Sequence, residues 1–286
     1  MLDIWLQHLD KGDLSSALFL DLSAGFDVIN HEILLMKMRE YNFNKDTINW
    51  FSSYLLDRSQ CVQIESSFSP SIPVPWGVPQ GSILGPLLFL LFLNELPDIV
   101  KEDQEQASVK ADHNDNSDDI VIYADDNTPI SSDKDPLRLE TKVQKEADTV
   151  VKWFTKNDMI VSSDKTKLLI IGTNQNRKSK LENQNLSLGI HICGETKKES
   201  TSEKLLGVVI NNTATFKHHL YGDEENKGLL KQLSTRVGMM KKLKKHLPPG
   251  RLKVLMDGQF NSKMLYGITV SDYKTPTSEL IMKPIA

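Results

Sequence analysis

The chemistry of this sequence is concentrated in three aspartates. Asp125 and Asp126 stand side by side at the end of residues 120–123, a run of strand-forming side chains. Asp21 is the one charged residue of an earlier predicted strand, residues 15–22. If the two runs pair in one sheet, the three carboxylates meet at one edge, and such a cluster needs counter-charge. Mg²⁺ prefers hard oxygen ligands of this kind, and a pair of ions can serve phosphoryl transfer.

A second interpretation of "ADDN" is a plain turn. Asp and Asn hydrogen-bond to their own backbone and tolerate turn geometry, so this tetrapeptide is also typical of a hairpin crown without chemistry. A short motif has a high false-positive rate. The rest of the chain therefore has to decide between the two.

The elements around these aspartates follow an α+β pattern. Apolar residues at helical spacing predict helices over 31–41, 45–56, 82–96 and 135–158, and over 218–267 apart from a break at 247–250. Strands are predicted at 15–22, 60–64, 120–123 with a returning strand, and 166–171. The segments "LGIHICG" and "EKLLGVVIN" are predicted to be paired strands. The remaining stretches are predicted to be a Pro-broken hairpin region at 66–77, a sharp loop at 77–81 and a polar connector at 174–187.

Residues 101–119 differ from their surroundings. The stretch is acidic, polar and aperiodic, which predicts a disordered surface insertion. Charge also divides along the chain: residues 1–120 hold 7 Lys and Arg against 19 Asp and Glu, whereas the remainder holds 27 against 19. The late basic excess peaks in "MMKKLKKHL", which is typical of a solvated helix face or of a surface that faces phosphates.

Composition excludes several classes of protein. The chain has 286 residues, 39% hydrophobic and 25% charged, the balance of an ordinary globular protein. The longest apolar run, residues 83–93, is too short to span a bilayer, so no membrane partner is expected. Two isolated cysteines favour neither a disulfide framework nor a structural zinc site, and indicate a reducing compartment.

Four motifs together identify a family. "FLDLSAGFDVINHEIL", "GVPQGSILGPLLF", "YADD" and "SSDKTKLLIIG" occur in the order and approximate spacing found in reverse transcriptases. The chain most resembles the polymerase domain of non-LTR (LINE-type) retrotransposons, over about Trp5 to Tyr273. The resemblance implies a right-hand polymerase fold, with a palm and partial fingers over 1–210 and a helical thumb-like region over 211–286. It also implies RNA-directed DNA polymerase activity and a nuclear or cytoplasmic location.

The same resemblance assigns residues and partners. Asp21, Asp125 and Asp126 would bind two Mg²⁺ ions, with Mn²⁺ as an alternative. Lys165 would give a proton to, or neutralise, the leaving pyrophosphate, although a solvated lysine at the end of a strand explains it equally well. Phe26 would close the sugar pocket against a ribose 2′-hydroxyl, although simple core packing explains a Phe equally well. The expected partners are an RNA template, a DNA primer or RNA–DNA hybrid, and deoxynucleoside triphosphates. The other implied binding residues are Gln80 and Gly81 at the template base and nucleotide, and Lys241, Lys242, Lys244 and Lys245 on the duplex.

The sequence also departs from the family pattern. Ala24-Gly25 replaces the usual Lys-Ala before the Phe of the first motif. Only about twenty residues precede Asp21, where the family has its basic fingers, so an N-terminally truncated domain with weak or no activity in isolation is expected. A non-catalytic relic that binds RNA or a protein partner is the alternative. A different palm-type enzyme such as a nucleotide cyclase is a weaker one.

Overall fold

The computed structural model describes residues 1–108, 119–124, 126–223 and 227–266. Its helices, in chain order, are α1 Leu2–Asp10, α2 His31–Glu40, α3 Lys45–Leu55, α4 Leu84–Leu93, α5 Leu96–Ser108, α6 Pro136–Lys156, α7 Asn174–Lys180, α8 Lys217–Tyr221, α9 Leu229–Leu243, α10 Pro249–Met256 and α11 Ser262–Leu265. Its strands are β1 Leu14–Phe19, β2 Ser59–Gln60, β3 Gln63–Ile64, β4 Ser67–Phe68, β5 Ile72–Pro73, β6 Asp119–Tyr123, β7 Asp126–Ile130, β8 Ser132–Asp133, β9 Lys167–Ile171, β10 Gly189–Ile192, β11 Glu195–Ser200, β12 Ser202–Leu205 and β13 Val208–Asn211.

The main sheet has the strand order β10-β11-β9-β1-β8. Strand β1 is buried almost throughout, as its Leu and Ala residues predict, and two of its serines are also enclosed. Ser15 shares a hydrogen bond with Ser132 at 2.8 Å, so these polar atoms inside the sheet have partners. Strands β6 and β7 form an antiparallel hairpin, and an isolated antiparallel bridge joins Leu20 to Asn127 of that hairpin.

Helix boundaries follow local capping chemistry. The Asn30 side chain accepts from the backbone N–H groups of the first turn of α2, and Asn44 does the same for α3. Asp135 caps α6, whose first residue is Pro136, a residue that suits this position because it has no N–H to leave unpaired. Capping side chains therefore determine where these helices begin.

The longest helix, α6, packs an apolar stripe into the core. Its buried residues recur at helical spacing and include Leu139, Val143, Val150 and Phe154. An unusual buried group elsewhere in the core is Lys37 of α2, whose side chain is only 3% exposed. Its ammonium lies 2.7 Å from Glu95 and over two aromatic rings, so this buried charge is compensated on several sides.

The chain divides into two compact units. Unit 1 contains residues 15–168 and 187–199, and it holds the β6–β7 hairpin and α2 to α6. Unit 2 contains residues 2–14, 169–186 and those from Ser200 onward, and part of its core is the cluster of Leu220, Leu229 and Leu233 with Phe260 and Met264 against it. This partition differs from a boundary at residue 210, and the assignment of palm and thumb to 1–210 and 211–286 stays a prediction.

Several local predictions need correction. Residues 101–108, predicted to belong to a disordered insertion, continue α5, because Leu96 and Val100 anchor its first turns and Glu, Gln, Lys and Ala favour helix. Residues 109–118 of that insertion lie outside the described residues, and its last residue, Asp119, begins β6. The predicted polar connector at 174–187 contains α7, which Thr173 caps. The segments predicted as paired strands form two separate hairpins, β10–β11 and β12–β13, and do not pair with each other.

No helix in the described part of the chain is long and apolar enough to cross a membrane.

Candidate active site

Asp21 lies on the extension of β1, between two other segments of unit 1. On one side, the N–H of Leu20 donates to the carbonyl of Asn127 at 2.9 Å, and the N–H of Asn127 donates back at 3.3 Å. On the other side, the N–H of Ser162 donates to the carbonyl of Asp21 at 2.9 Å. The backbone of Asp21 is therefore fixed by the hairpin and by the segment that precedes β9.

The register of this pairing places Asp126 opposite Asp21. Leu20 and Asn127 face each other in an antiparallel bridge, so the residue after Leu20 faces the residue before Asn127. Asp126 itself pairs with Tyr123 across the two-residue turn of the hairpin, in which Ala124 has a φ of 53°. Asp125 lies outside the described residues.

Lys165 reaches the same point. Its Nζ lies 2.8 Å from Oδ2 of Asp21, an ion pair with side-chain exposures of 66% and 26%. The motifs predicted only the order of these residues along the chain, with no sign that the ammonium would contact the first carboxylate. The structure thus places Lys165 against Asp21, and the bridge between Leu20 and Asn127 brings the backbone of Asp126 close to them.

The donor set at this point fits a divalent cation in its chemistry. Asp21 and Asp126 offer carboxylate oxygens, the ligands that Mg²⁺ and Mn²⁺ accept. Among the described residues no group of three or more His, Cys, Asp or Glu side chains is arranged to hold a metal ion. The third predicted ligand, Asp125, is not among those residues.

A tight backbone contact joins the turn after Asp21 to the "GVPQG" loop. The N–H of Gly77 donates to the carbonyl of Ile29 at 2.8 Å, the N–H of Val78 donates to that of Phe26 at 2.9 Å, and His31 Nε2 donates to the carbonyl of Gly77 at 2.6 Å. Gly77 has a φ of 78°, and a Cβ there would lie 2.6 Å from the carbonyl oxygen of Asp27. Only glycine fits this approach.

Gln80 is held by the same turn. Its Nε2 donates to both carboxylate oxygens of Asp27, at 2.9 and 3.1 Å. Gly81 also has a left-handed φ, 76°, but a Cβ there would meet no other atom within 4 Å. The close protein contact in this loop is therefore made by its first glycine, whereas Gly81 has room around it.

Phe26 has a half-buried ring that stacks on Phe89 of α4, with centroids 4.4 Å apart. One face of the Phe26 ring thus packs in the way that the core-packing interpretation predicts. The small size of Gly25 leaves room for the Phe89 ring next to Phe26, since a Cβ at Gly25 would lie only 3.3 Å from that ring. Any contact with a nucleotide sugar would have to use the part of the Phe26 ring that the stack leaves open.

A pocket of about 620 Å³ opens beside this turn, a size that suits a small molecule. Its lining is mainly apolar, and Asp27, Trp76, Asp158 and Cys193 contribute to it. Asp158 also accepts a hydrogen bond from Asn30 at 2.8 Å. The pocket therefore borders the residue that holds Gln80 rather than the carboxylate of Asp21.

In unit 2, the hairpin β12–β13 makes hydrogen bonds with residues that follow it in the chain. The Tyr266 hydroxyl donates to the carbonyl of Leu206 in its turn, and the N–H of Val209 donates to His219 Nδ1 at 3.4 Å. Burial, helped by Lys263 and Lys204, lowers the pKa of His219 below its ordinary value of 6.5.

The predicted basic residues also belong to unit 2. Lys241 and Lys242 lie in the last turn of α9, Lys244 and Lys245 follow directly, and all four are exposed.

Comparisons with known proteins show the family of the chain. A family model described as "Reverse transcriptase (RNA-dependent DNA polymerase)" matches residues 6–210. The RNA-directed DNA polymerase from mobile element jockey of Drosophila melanogaster is 24% identical over 218 residues, which cover 75% of this chain and 22% of that protein. The probable RNA-directed DNA polymerase from transposon BS of the same organism is 37% identical over 92 residues, 32% of this chain and 10% of that protein.

A solved structure shows the fold. Telomerase from Candida albicans, in complex with a TWJ fragment of telomeric RNA, superposes with a TM-score of 0.52 and 14% identity, over 98% of this chain and 48% of that chain. Together with the family match, this confirms the predicted α+β polymerase fold. The chain spans about a fifth or less of the length of the two curated relatives.

Proposed function

The chain belongs to the reverse transcriptase (RNA-dependent DNA polymerase) family, and from that premise we propose that it carries the nucleotidyl-transfer centre of a non-LTR retrotransposon polymerase. The reaction joins the 3′-hydroxyl of a primer to the α-phosphate of a deoxynucleoside triphosphate and releases pyrophosphate, directed by an RNA template. The observation that supports this most is the bridge between Leu20 and Asn127, because it sets Asp126 opposite Asp21.

In this proposal the carboxylates of Asp21, Asp125 and Asp126 hold divalent cations, Mg²⁺ or Mn²⁺. When bound, such cations lower the pKa of the attacking hydroxyl and neutralise phosphate charge. Asp21 and Asp126 would supply their oxygens from two segments that the bridge between Leu20 and Asn127 joins, so their separation depends on this backbone contact.

Lys165 has the second role. Its ammonium lies against Asp21, at the edge where the triphosphate of an incoming nucleotide would be bound. From there it can donate a proton to the leaving pyrophosphate or offset its charge. With 66% of its side chain exposed, the lysine has room to turn from the carboxylate to a phosphate.

The loop and turn beside this centre form the proposed nucleotide and template side. Gln80 is oriented by Asp27, and the open space at Gly81 allows a base to approach the backbone. Phe26, supported from behind by Phe89, is proposed to exclude a ribose 2′-hydroxyl. The lysines from 241 to 245 are proposed to contact the phosphates of the primer–template duplex.

The test is primer extension on an RNA template with Mg²⁺ or Mn²⁺, comparing wild type with Asp21→Asn and Asp126→Asn. Loss of a metal-binding carboxylate should cost several kcal/mol of transition-state stabilisation, roughly a 10²-fold or larger fall in rate. Asp57→Asn is the matched control, because Asp57 is exposed, has a φ of 54° that Asn tolerates, and loses the same charge.

Extension that persists at the wild-type rate in both site variants would contradict the assignment. A wild-type chain that binds the primer–template but never extends it, with either metal ion, would instead favour a non-catalytic relic.

A further inference from the structure

The turn that carries Lys165 is closed by its own backbone and side chains. The N–H of Thr166 donates to the carbonyl of Ser162 at 3.1 Å, and its hydroxyl donates to the same oxygen at 2.8 Å. The N–H of Ser162 in turn donates to the carbonyl of Asp21. The N–H of Thr166 also lies 3.0 Å from the carbonyl of Ser163, so backbone bonds define the shape of the turn. A side chain attaches the turn to the neighbouring hairpin β10–β11.

Ser163 makes such an attachment. Its hydroxyl donates to Oε2 of Glu195 at 2.6 Å, across 32 positions of sequence. Lys197 Nζ lies 2.6 Å from the same oxygen. Hydrogen bonds from Lys197 and Ser163 lower the pKa of Glu195, so this carboxyl is ionised at neutral pH and acts as an acceptor for both groups.

Glu195 is itself held in place by the hairpin β10–β11. It pairs with Ile192 across a two-residue turn, in which Cys193 and Gly194 both have left-handed φ angles of 49° and 84°. Such turns match the twist of an antiparallel pair and give it a defined geometry. Although Glu195 is exposed, its backbone is therefore well fixed.

The hairpin is fastened to α6 by two further side chains. Gln144 bonds to both backbone groups of His191, at 2.9 Å to the carbonyl and 2.7 Å from the N–H. Glu140 accepts from the N–H of Gly189 at 2.8 Å. A continuous series of contacts thus leads from the longest helix through the hairpin to Ser163, two residues before Lys165.

We propose that Glu195 is a positioning residue for Lys165, acting through its hydrogen bond from Ser163. The proposal rests on the function proposed above for Lys165. Without the acceptor, the tip of the turn loses its attachment to the hairpin, and the ammonium spends less time where Asp21 and a phosphate can be reached. General acid catalysis is worth about 10²–10⁴-fold, and a displacement near 1 Å can cost up to about 10²-fold, so a fall of roughly tenfold is expected.

The first experiment needs no catalysis. Hydrogen exchange of the backbone amides of residues 162–166 is measured in the full chain for wild type, Glu195→Ala, Glu195→Gln and Glu182→Ala. Glu195→Ala should speed exchange in this segment. Glu195→Gln should not, because its amide oxygen still accepts from Ser163. Glu182→Ala is the control, since Glu182 is an exposed Glu in a short helical turn outside this network.

The second experiment is single-nucleotide incorporation at saturating and limiting nucleotide. Glu195→Ala should lower the maximal rate about tenfold with little change in the nucleotide concentration at half-maximal rate. Ser163→Ala should have the same effect, and the double variant should lose no more than either single one. Glu195→Gln should keep most of the rate.

Two results would overturn the proposal: unchanged exchange and rate in Glu195→Ala, or a fall in Glu195→Gln as large as in Glu195→Ala. An equally large fall in Glu195→Gln would assign the effect to the ion pair between Glu195 and Lys197. A wild-type chain without incorporation would remove the proposed polymerase function and with it the catalytic meaning of this contact. The exchange measurement would still decide separately whether Glu195 holds the turn.

Discussion

Two glycines in the "GVPQG" loop form a natural matched pair. Gly77 and Gly81 have φ angles of 78° and 76°, so a substitution by Ala imposes the same left-handed conformation on both. That conformation costs about 1–2 kcal/mol for a residue with a Cβ. What differs is the space: a Cβ at Gly77 would meet the Asp27 backbone at 2.6–2.8 Å, and one at Gly81 would meet nothing within 4 Å.

The extra cost at Gly77 can be worked out from its neighbours. Because the atoms that clash are backbone, the loop and the turn must separate by several tenths of an ångström, and overpacking of this kind costs about 1–3 kcal/mol. The separation would also stretch the bonds of Gly77 and Val78 to Ile29 and Phe26, each worth about 1 kcal/mol. Gly77→Ala should therefore lower the free energy of unfolding by roughly 3–5 kcal/mol, against about 1–2 kcal/mol for Gly81→Ala.

Urea unfolding, followed by circular dichroism, measures the difference between the two variants. Thermal unfolding gives a second measure. At about 2–4 °C per kcal/mol, the melting temperature of Gly77→Ala should lie roughly 5–10 °C below that of Gly81→Ala. Equal destabilisation would show that conformational strain alone explains both glycines, and that the contact with Asp27 relaxes at no cost.

Two further predictions concern unit 2. Changing Lys241, Lys242, Lys244 and Lys245 together to Ala should weaken binding to an RNA–DNA hybrid and make it less sensitive to salt, because the slope of log affinity against log salt falls by up to about 0.9 for each phosphate that is no longer neutralised. Fluorescence anisotropy at several salt concentrations measures this slope, and an unchanged slope would contradict the assignment of these lysines to phosphates. Because the folded-state pKa of His219 is lowered below 6.5, the unfolded chain takes up the proton first, so stability should fall as pH drops through 6.5 towards the folded pKa. His219→Asn keeps an acceptor near Nδ1 and should reduce this loss of stability, which melting temperatures at pH 7.5 and 5 measure. Equal pH dependence in both proteins would show that His219 is not the group responsible.

Elements with strong local signals could be predicted from sequence. The apolar run ending at Asp21, the hairpin around Asp126 and the amphipathic α6 all combine a clear period with turn or capping residues, and all three are present. Helices with a polar composition were missed, as in α7 and the second half of α5. A helical pair of buried residues, Leu96 and Val100, was the signal in α5. In α7 the signal was the capping side chain of Thr173.

Contacts between distant segments could not be predicted in this way. The resemblance to a family indicated the positions of Asp21 and Lys165, but not that one would contact the other. The resemblance assigned Gly81 to the template base and nucleotide and gave no role to Gly77, where the loop contacts the backbone of Asp27, because two left-handed glycines in one loop look alike until their neighbours are known. Glu195 carried no motif, and its role depends on a hairpin turn that brings it to Ser163.

The candidate site is assembled by two kinds of bond, and they differ in what a substitution can change. Asp21 and Asp126 are set opposite each other by backbone pairing between Leu20 and Asn127, which no side-chain replacement removes directly. Lys165 depends in addition on the side-chain contact between Ser163 and Glu195. Substitution at Glu195 should therefore change the lysine's contribution and leave the spacing of the carboxylates intact. For this reason the residue proposed as proton donor and the residues proposed as metal ligands can be separated by experiment.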